Sequence, residues 1–169
     1  MGLQEIRKIV NHQIETKSEE DMRIEYDRPS AKSYTSLRIK SGMGEKNQER
    51  TAMALQNSLF TVSIYEDNGG SLIGFGRIVG DGGITYVISD IMVDPKYQRQ
   101  GYGTIIMQEI DQYLSQNTYE DSYICLIANS PADKLYNKFK FSYLPDNKCG
   151  MLRDQKKNLF NKSLVNPVS

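Results

Sequence analysis

The sequence predicts a mixed α/β (α+β) fold with a mostly antiparallel central sheet and helices on both faces. Three observations carry this expectation. Three strand-like segments follow one another, with turn clusters between them. A glycine-bearing loop then opens a strongly amphipathic helix, and a short apolar run with a further helix comes after it. Strands that cluster this way argue against a doubly wound parallel sheet.

Taken in order, residues 1–20 carry Ile6, Ile9, Val10 and Ile14 at helical spacing and end in a polar run, so a short amphipathic appendage is expected. Residues 22–26 alternate and read as a first strand. Pro29 and Ser30 open a helix whose apolar face would be Tyr34, Leu37 and Ile39, ending near Gly42. A second helix is expected over about 46–57, with Ala52, Met53, Ala54 and Leu55. Strands follow at 59–66, 72–79 and 84–93. The first two are joined by Asp67-Asn68-Gly69-Gly70 and the last two by Gly80-Asp81-Gly82-Gly83, clusters that tolerate positive φ.

Asp94-Pro95 stops the third of these strands. Ile105, Ile106, Ile110, Tyr113 and Leu114 then mark the face of the main helix. The near-continuous apolar run 123–128 suggests a strand covered on both faces. Pro131 suits the first turn of a helix bearing Leu135, Tyr136 and Phe139. Residues 141–144 and 150–153 read as two last strands. The organisation is an extension over 1–21, one domain over 22–154 and a tail over 155–169.

Composition excludes several function classes. Lys+Arg and Asp+Glu are equal at 21 each, so no strong field argues for a nucleic-acid or membrane partner. No run approaches a membrane span, and the first residues lack the pattern of a secretory signal. A myristoylation signal wants Ser or Thr where Ile6 stands. His12 is the only histidine, which makes a histidine-dependent triad or a histidine-ligated metal site unexpected, so no metal is assigned. Cys125 and Cys149 have no metal-ligand spacing and fit two free thiols in a reducing cytoplasm.

The segment with chemical content is Val93-Asp94-Pro95-Lys96-Tyr97-Gln98-Arg99-Gln100-Gly101-Tyr102-Gly103. A strand runs into a glycine-bearing turn and a helix begins at once. Such a helix N-terminus offers N–H groups and partial positive charge to a phosphate, and glycine lets the backbone come close. A Walker loop would need Lys and Ser/Thr after Gly103, where Thr104 and Ile105 stand. A dinucleotide fingerprint would need Gly or Ala at Ile106. A plain strand-to-helix turn remains the bland alternative.

Gln98-x-x-Gly101-x-Gly103 resembles the Gln/Arg-x-x-Gly-x-Gly/Ala signature of the GNAT superfamily of N-acetyltransferases. The preceding 88–95 is similar to that family's fourth strand. Downstream, Ala128 to Phe141 is similar to its Ala…Phe-Tyr-x-Lys-x-Gly-Phe ending, with Leu135 for the usual Phe and Lys140 for the usual Gly. The resemblance covers about 22–154.

It implies a sheet splayed between strands 4 and 5 and acetyl-CoA as the acyl donor. The pantetheine arm would pair with the backbone of Ile91, Met92 and Val93. Backbone N–H groups from Arg99 through Gln100, Gly101, Tyr102 and Gly103 to Thr104 would hold the pyrophosphate, with Gln98 opening the cofactor-binding motif, and the side chain of Asn129 would bond the pantetheine. Tyr136 matches the family's general acid, which protonates the leaving thiolate of coenzyme A. On spacing alone Tyr136 reads as a core aromatic of an amphipathic helix, its hydroxyl bonded to backbone; the two motifs together favour the general acid. The resemblance further implies direct attack by the amine, and a homodimer as one expected assembly.

The base and acceptor site are less legible. In several relatives the ionisable residue matches Val87 or Ser89, and neither is a strong base; Ser89 could order a water. Asp90 and Asp81 are nearby carboxylates, but Asp90 could be a buried structural group and Asp81 a turn cap. Strict alternation would put Thr85, Val87, Ser89 and Ile91 on one face and Tyr86, Ile88, Asp90 and Met92 on the other. Tyr34, Arg38, Met43, Ser58, Arg77 and Asp81 are the candidate acceptor residues. Arg38 or Arg77 could clamp a substrate carboxylate, or both could be surface arginines.

The expected function is N-acetylation of a small amine or amino acid. The alternatives are a non-catalytic acyl-CoA sensor, an enzyme with another acyl donor, and a protein N-acetyltransferase.

Overall fold

The computed structural model describes residues 22–67 and 70–153. The stretch 1–20 and the tail beyond 153 lie outside them. Among the described residues one five-stranded sheet runs in the order β1-β2-β3-β4-β5. It is formed by β1 (Met22–Glu25), β2 (Phe60–Glu66), β3 (Leu72–Gly80), β4 (Thr85–Val93) and β5 (Tyr123–Leu126). The first four strands are antiparallel to their neighbours, and β5 lies parallel to β4.

Helices α1 (Ala31–Lys40) and α2 (Gln48–Gln56) precede β2, and α3 (Tyr102–Asn117) crosses from β4 to β5. A short α4 (Asp133–Tyr136) runs into a 3-10 turn, Asn137–Phe139. Ser30 caps α1 by accepting from the Ser33 N–H, and Asn47 caps α2 by accepting from the Arg50 N–H. Each side chain meets one of the donors that a helix start leaves unpaired.

The sheet separates two apolar layers. On one face Ile105, Ile106, Met107, Ile110 and Leu114 of α3 pack on Val62, Ile64, Ile78, Tyr86 and Ile88. On the other, Tyr34 and Leu37 of α1 and Leu55 of α2 pack on Leu72, Phe75 and Met92. Full burial of such side chains is worth about 1.5–3 kcal/mol each. The approach of α3 depends on Gly76. A Cβ there would lie 2.5 Å from Ile106 Cγ2 and 2.8 Å from Ile91 Cδ1.

Several expectations need correction. Residues 141–144 and 150–153 form no strand. Their composition supplies propensity but no ladder partner, and a strand exists only as part of a paired sheet. Phe141 instead packs edge-on to Tyr136, and the Tyr143 hydroxyl bonds Asp133. β5 is not covered on both faces: it is an edge strand, and Tyr123 is exposed. Ile39 and Met53 also point to solvent, while Thr35, Arg38 and Thr51 are buried in their place.

The largest departure is in β4. Phe75 pairs with Met92 and Arg77 with Ser89, so Gly76 faces both Asp90 and Ile91. This one-against-two pairing is a β-bulge, and Asp90 adopts φ 57° to make it. The extra residue reverses the alternation. Tyr86 and Ile88 face α3, whereas Met92 faces α1 and Ile91 packs toward α3. Asp90 therefore leaves the face it was expected to share with Tyr86 and Ile88.

Candidate active site

The parallel ladder between β4 and β5 ends at Ile88 and Leu126. Beyond it, Ser89 to Val93 pair with β3 alone, so the other edge of β4 is open where Ile91 and Met92 lie. The Val93 carbonyl is partly used, accepting from Gln98 Nε2 at 3.0 Å and Ser41 Oγ at 3.4 Å. Asp94 ends the strand. It caps the following 3-10 turn through the Lys96 N–H and takes Lys40 Nζ at 2.9 Å, fixing that turn against α1. Burial raises the Asp94 pKa, but Lys40 and the Lys96 N–H outweigh it and hold the carboxyl below its ordinary value.

The loop into α3 is shaped by two left-handed residues, Arg99 at φ 60° and Gly101 at φ 91°. Gln98 and Gln100 do not point outward as free ligands: Gln98 bonds Val93, and Gln100 Nε2 bonds the Lys96 carbonyl at 3.1 Å. They brace the loop. Gly101 is the N-cap of α3 and supplies no side-chain cap. The first helical bond runs from the Ile105 N–H to the Gly101 carbonyl, so the N–H groups of Gly103 and Thr104 have no acceptor within the helix.

A Cβ on Gly101 would meet nothing within 4 Å, and one on Gly103 would meet only Leu135 at 3.4 Å. The space above the helix start is thus open. Gly101 is required by its left-handed backbone, not by crowding within the protein.

Tyr136 comes from α4 and is 9% exposed. Its ring packs in the α3-side core, yet its hydroxyl has no hydrogen-bond partner among the described residues. Burial raises its pKa above the ordinary tyrosine value, so it stays protonated at neutral pH. Asn129 is exposed in the loop before α4, and its carbonyl accepts from the Ala132 N–H.

On the opposite face Asp90 is the hub of a buried network. Its Oδ1 accepts from Arg38 Nη1 at 2.7 Å, and its Oδ2 accepts from Arg77 Nε at 2.6 Å and the Tyr34 hydroxyl at 2.7 Å. Arg38 also donates to the Met43 and Gly44 carbonyls, and Arg77 to the Ala54 carbonyl and the Ser58 hydroxyl. Burial raises the Asp90 pKa, but Tyr34, Arg77 and Arg38 outweigh it and keep the carboxyl below its ordinary value. Tyr34 is pushed up to about 12 by burial and by the Asp90 carboxylate.

A carboxylate with both oxygens engaged and a lowered pKa is a poor general base. Nor are Arg38 and Arg77 surface residues or free clamps; both are committed to Asp90. Met43 enters the network through its carbonyl, and Ser58 is buried as an acceptor for Arg77. Ser89, next to the bulge, is half-buried, and its hydroxyl is unbonded among the described residues.

Asp81 lies at the far end of β4, where it accepts from the N–H groups of Gly83, Ile84 and Thr85. The bonds from Thr85, Gly83 and Ile84 lower its pKa. It is a turn cap, and the structure does not bring it to the other candidates.

Above this network, α1, α2, β3 and β4 enclose a cleft of about 470 Å³ lined by Tyr34, Arg38, Arg77 and Asp90. Lys46, Asn47, Arg50 and Thr51 also line it, and the sequence reading had not singled them out. The available signal was the pair of cations one turn apart around a helix cap. Without the cleft, that pair reads as an ordinary solvated helix start.

Site and sheet together define a class: a mixed sheet split beside an uncapped, glycine-started helix, with a buried unpaired phenol on one side and a cleft on the other. Comparison with known proteins places the chain within that class. Residues 11–141 match the model of the acetyltransferase (GNAT) family, and the chain belongs to that family.

It is 30% identical over 112 residues to the uncharacterized N-acetyltransferase ycf52 of Pyropia yezoensis, covering 65% of this chain and 63% of that protein. It is 33% identical over 102 residues to the chloroplastic GCN5-related N-acetyltransferase 3 of Arabidopsis thaliana, covering 59% of this chain and 41% of that one. The chain thus spans less than two thirds of these relatives. Among solved structures, a Staphylococcus aureus protein described as a "Probable Acetyltransferase" is 42% identical. It superposes with a TM-score of 0.74 over 79% of this chain and 98% of its own.

Proposed function

We propose that this chain transfers an acetyl group from acetyl-CoA to the amine of a small molecule or amino acid by direct attack in a ternary complex. The observation that carries this reading is Tyr136: its ring is buried in the core, its phenol is protonated, and its hydroxyl, not sealed from solvent, bonds no described residue and is free to meet a ligand atom.

The residues present fit the cofactor. The space above Gly101 and Gly103 is open, and the N–H groups of Gly103 and Thr104 point out of the helix start, where they would hold a diphosphate. The open β4 edge at Ile91 and Met92 would take amide groups as a sheet edge takes a strand, and Asn129, exposed on the loop after β5, would add a side-chain bond. Acetyl-CoA, when bound, supplies an activated acetyl thioester. Tyr136 gives its proton to the departing thiolate as the C–S bond breaks and the C–N bond forms. Ser89 orders a water that takes the proton lost by the amine, a role Asp90 cannot fill while it is held by two arginines.

Among the described residues, no helix is long and apolar enough to cross a membrane. Cys125 and Cys149 are free, which supports a reducing compartment such as the cytoplasm. The outer edge of β5, unpaired among the described residues and with Tyr123 and Ile127 exposed, supports a homodimer.

The test is thiol release from acetyl-CoA with a panel of amines, amino acids and peptides. Amine-dependent release with small acceptors is expected. Acetyl-CoA binding without any release would make the chain a non-catalytic binder. Release only with protein N-termini or lysines would exclude a small acceptor.

A further inference from the structure

Four cations and one carboxylate line the cleft, in a chain whose formal net charge is zero. The positive charge is therefore local. Arg38 and Arg77 neutralise Asp90 and donate further to carbonyls and Ser58, which holds both guanidinium groups in place, although Arg77 Nη2 bonds no described residue. Lys46 and Arg50 differ. Both are exposed, and their side chains make no hydrogen bond or ion pair among the described residues, although Glu45 and Glu49 adjoin them in sequence.

Lys46 immediately precedes the Asn47 cap and Arg50 lies in the first turn of α2, so both stand at the positive end of that helix. A further group points the same way. Thr51 is 4% exposed and lines the cleft, and its hydroxyl has no partner among the described residues. That hydroxyl is not sealed from solvent, so it is free to meet a ligand oxygen in the cleft.

We propose that the acceptor amine carries an oxyanion, a carboxylate or a phosphate, held by Arg50, Lys46 and Thr51 at the mouth of this cleft. The inference rests on the acetyl-transfer reading and narrows its substrate class. The anion lies toward α2, leaving the amine to reach the β4 bulge beside Ser89. Arg50 presents a planar fork of donors suited to either oxyanion, and Lys46 adds a point charge. The same lining repels a lysine-rich tail.

Thiol release from acetyl-CoA is measured with β-alanine against β-alaninamide, and with phosphoethanolamine against ethanolamine. One oxyanion-bearing amine is expected to exceed its neutral partner in kcat/KM by tenfold or more, mainly through KM, and the winning pair names the oxyanion. Arg50→Ala, at an exposed position with no side-chain bonds to lose, is expected to remove most of that preference, with Arg50→Lys restoring part of it. Raising salt should erode the preference, because the two cations are solvent-exposed.

Calorimetric titration of the preferred amine into the coenzyme A complex reads the same contact without turnover, and Arg50→Ala should weaken binding there too. Equal use of charged and neutral partners, or a preference untouched by Arg50→Ala, overturns the proposal while acetyl transfer stands. Bound acetyl-CoA with no turnover of any amine overturns both.

Discussion

Asp90→Asn tests the buried network without disturbing the bulge, because asparagine tolerates the left-handed backbone as aspartate does. The side chains of Arg38, Asp90 and Arg77 are 8%, 8% and 15% exposed. Removing the carboxylate leaves two guanidinium groups in poor contact with water and with no counter-charge. Breaking a buried pair of this kind costs about 3–5 kcal/mol. The amide keeps one acceptor oxygen, so about 3 kcal/mol is expected, or roughly 6–12 °C in Tm for a chain of this size.

The effect should depend on pH. The folded Asp90 pKa lies below its ordinary value, so its contribution is complete above the unfolded pKa and is lost as pH falls through the folded one. Thermal melts of wild type and Asp90→Asn from pH 8 to pH 3 would show a constant gap that closes at the acid end. A shift under about 2 °C at neutral pH would refute the claim that Asp90 anchors both arginines.

Tyr136→Phe should lower kcat by about 10²-fold or more, the usual contribution of a positioned acid, while leaving acetyl-CoA affinity and Tm nearly unchanged. Calorimetry and steady-state kinetics on one preparation decide this. The alkaline limb of wild-type kcat should lie above the ordinary tyrosine pKa, because burial raises that of Tyr136; a limb near pH 8 would assign the acid elsewhere. Gly101→Val should weaken acetyl-CoA binding at least tenfold, since a β-branched residue at φ 91° costs about 1–3 kcal/mol or reshapes the loop. Gly76→Ala should lower Tm in thermal melts, because its Cβ would meet Ile106 and Ile91 in the packed core.

Strand order and the main helix were legible because period-two runs, turn clusters and a strong apolar face each had a local cause. The glycine loop was legible as a motif, although Gln98 and Gln100 proved to brace the loop. The β4 bulge was not legible. Nothing local to Asp90 announces a left-handed residue in a β-branched run, and one inserted residue moved the carboxylate to the other face. The fate of Arg38 and Arg77 followed from that shift, since their partner was expected elsewhere. Residues 141–153 misled for the opposite reason: propensity was present, but Phe141 and Tyr143 engage Tyr136 and Asp133 instead of extending the sheet at the edge of β5.

The most direct test is a crystal structure of the chain with coenzyme A. The account predicts diphosphate oxygens within hydrogen-bond distance of the Gly103 and Thr104 N–H groups and the thiol beside the Tyr136 hydroxyl. A diphosphate bound away from the start of α3, or a Tyr136 hydroxyl turned from the sulfur, would contradict it.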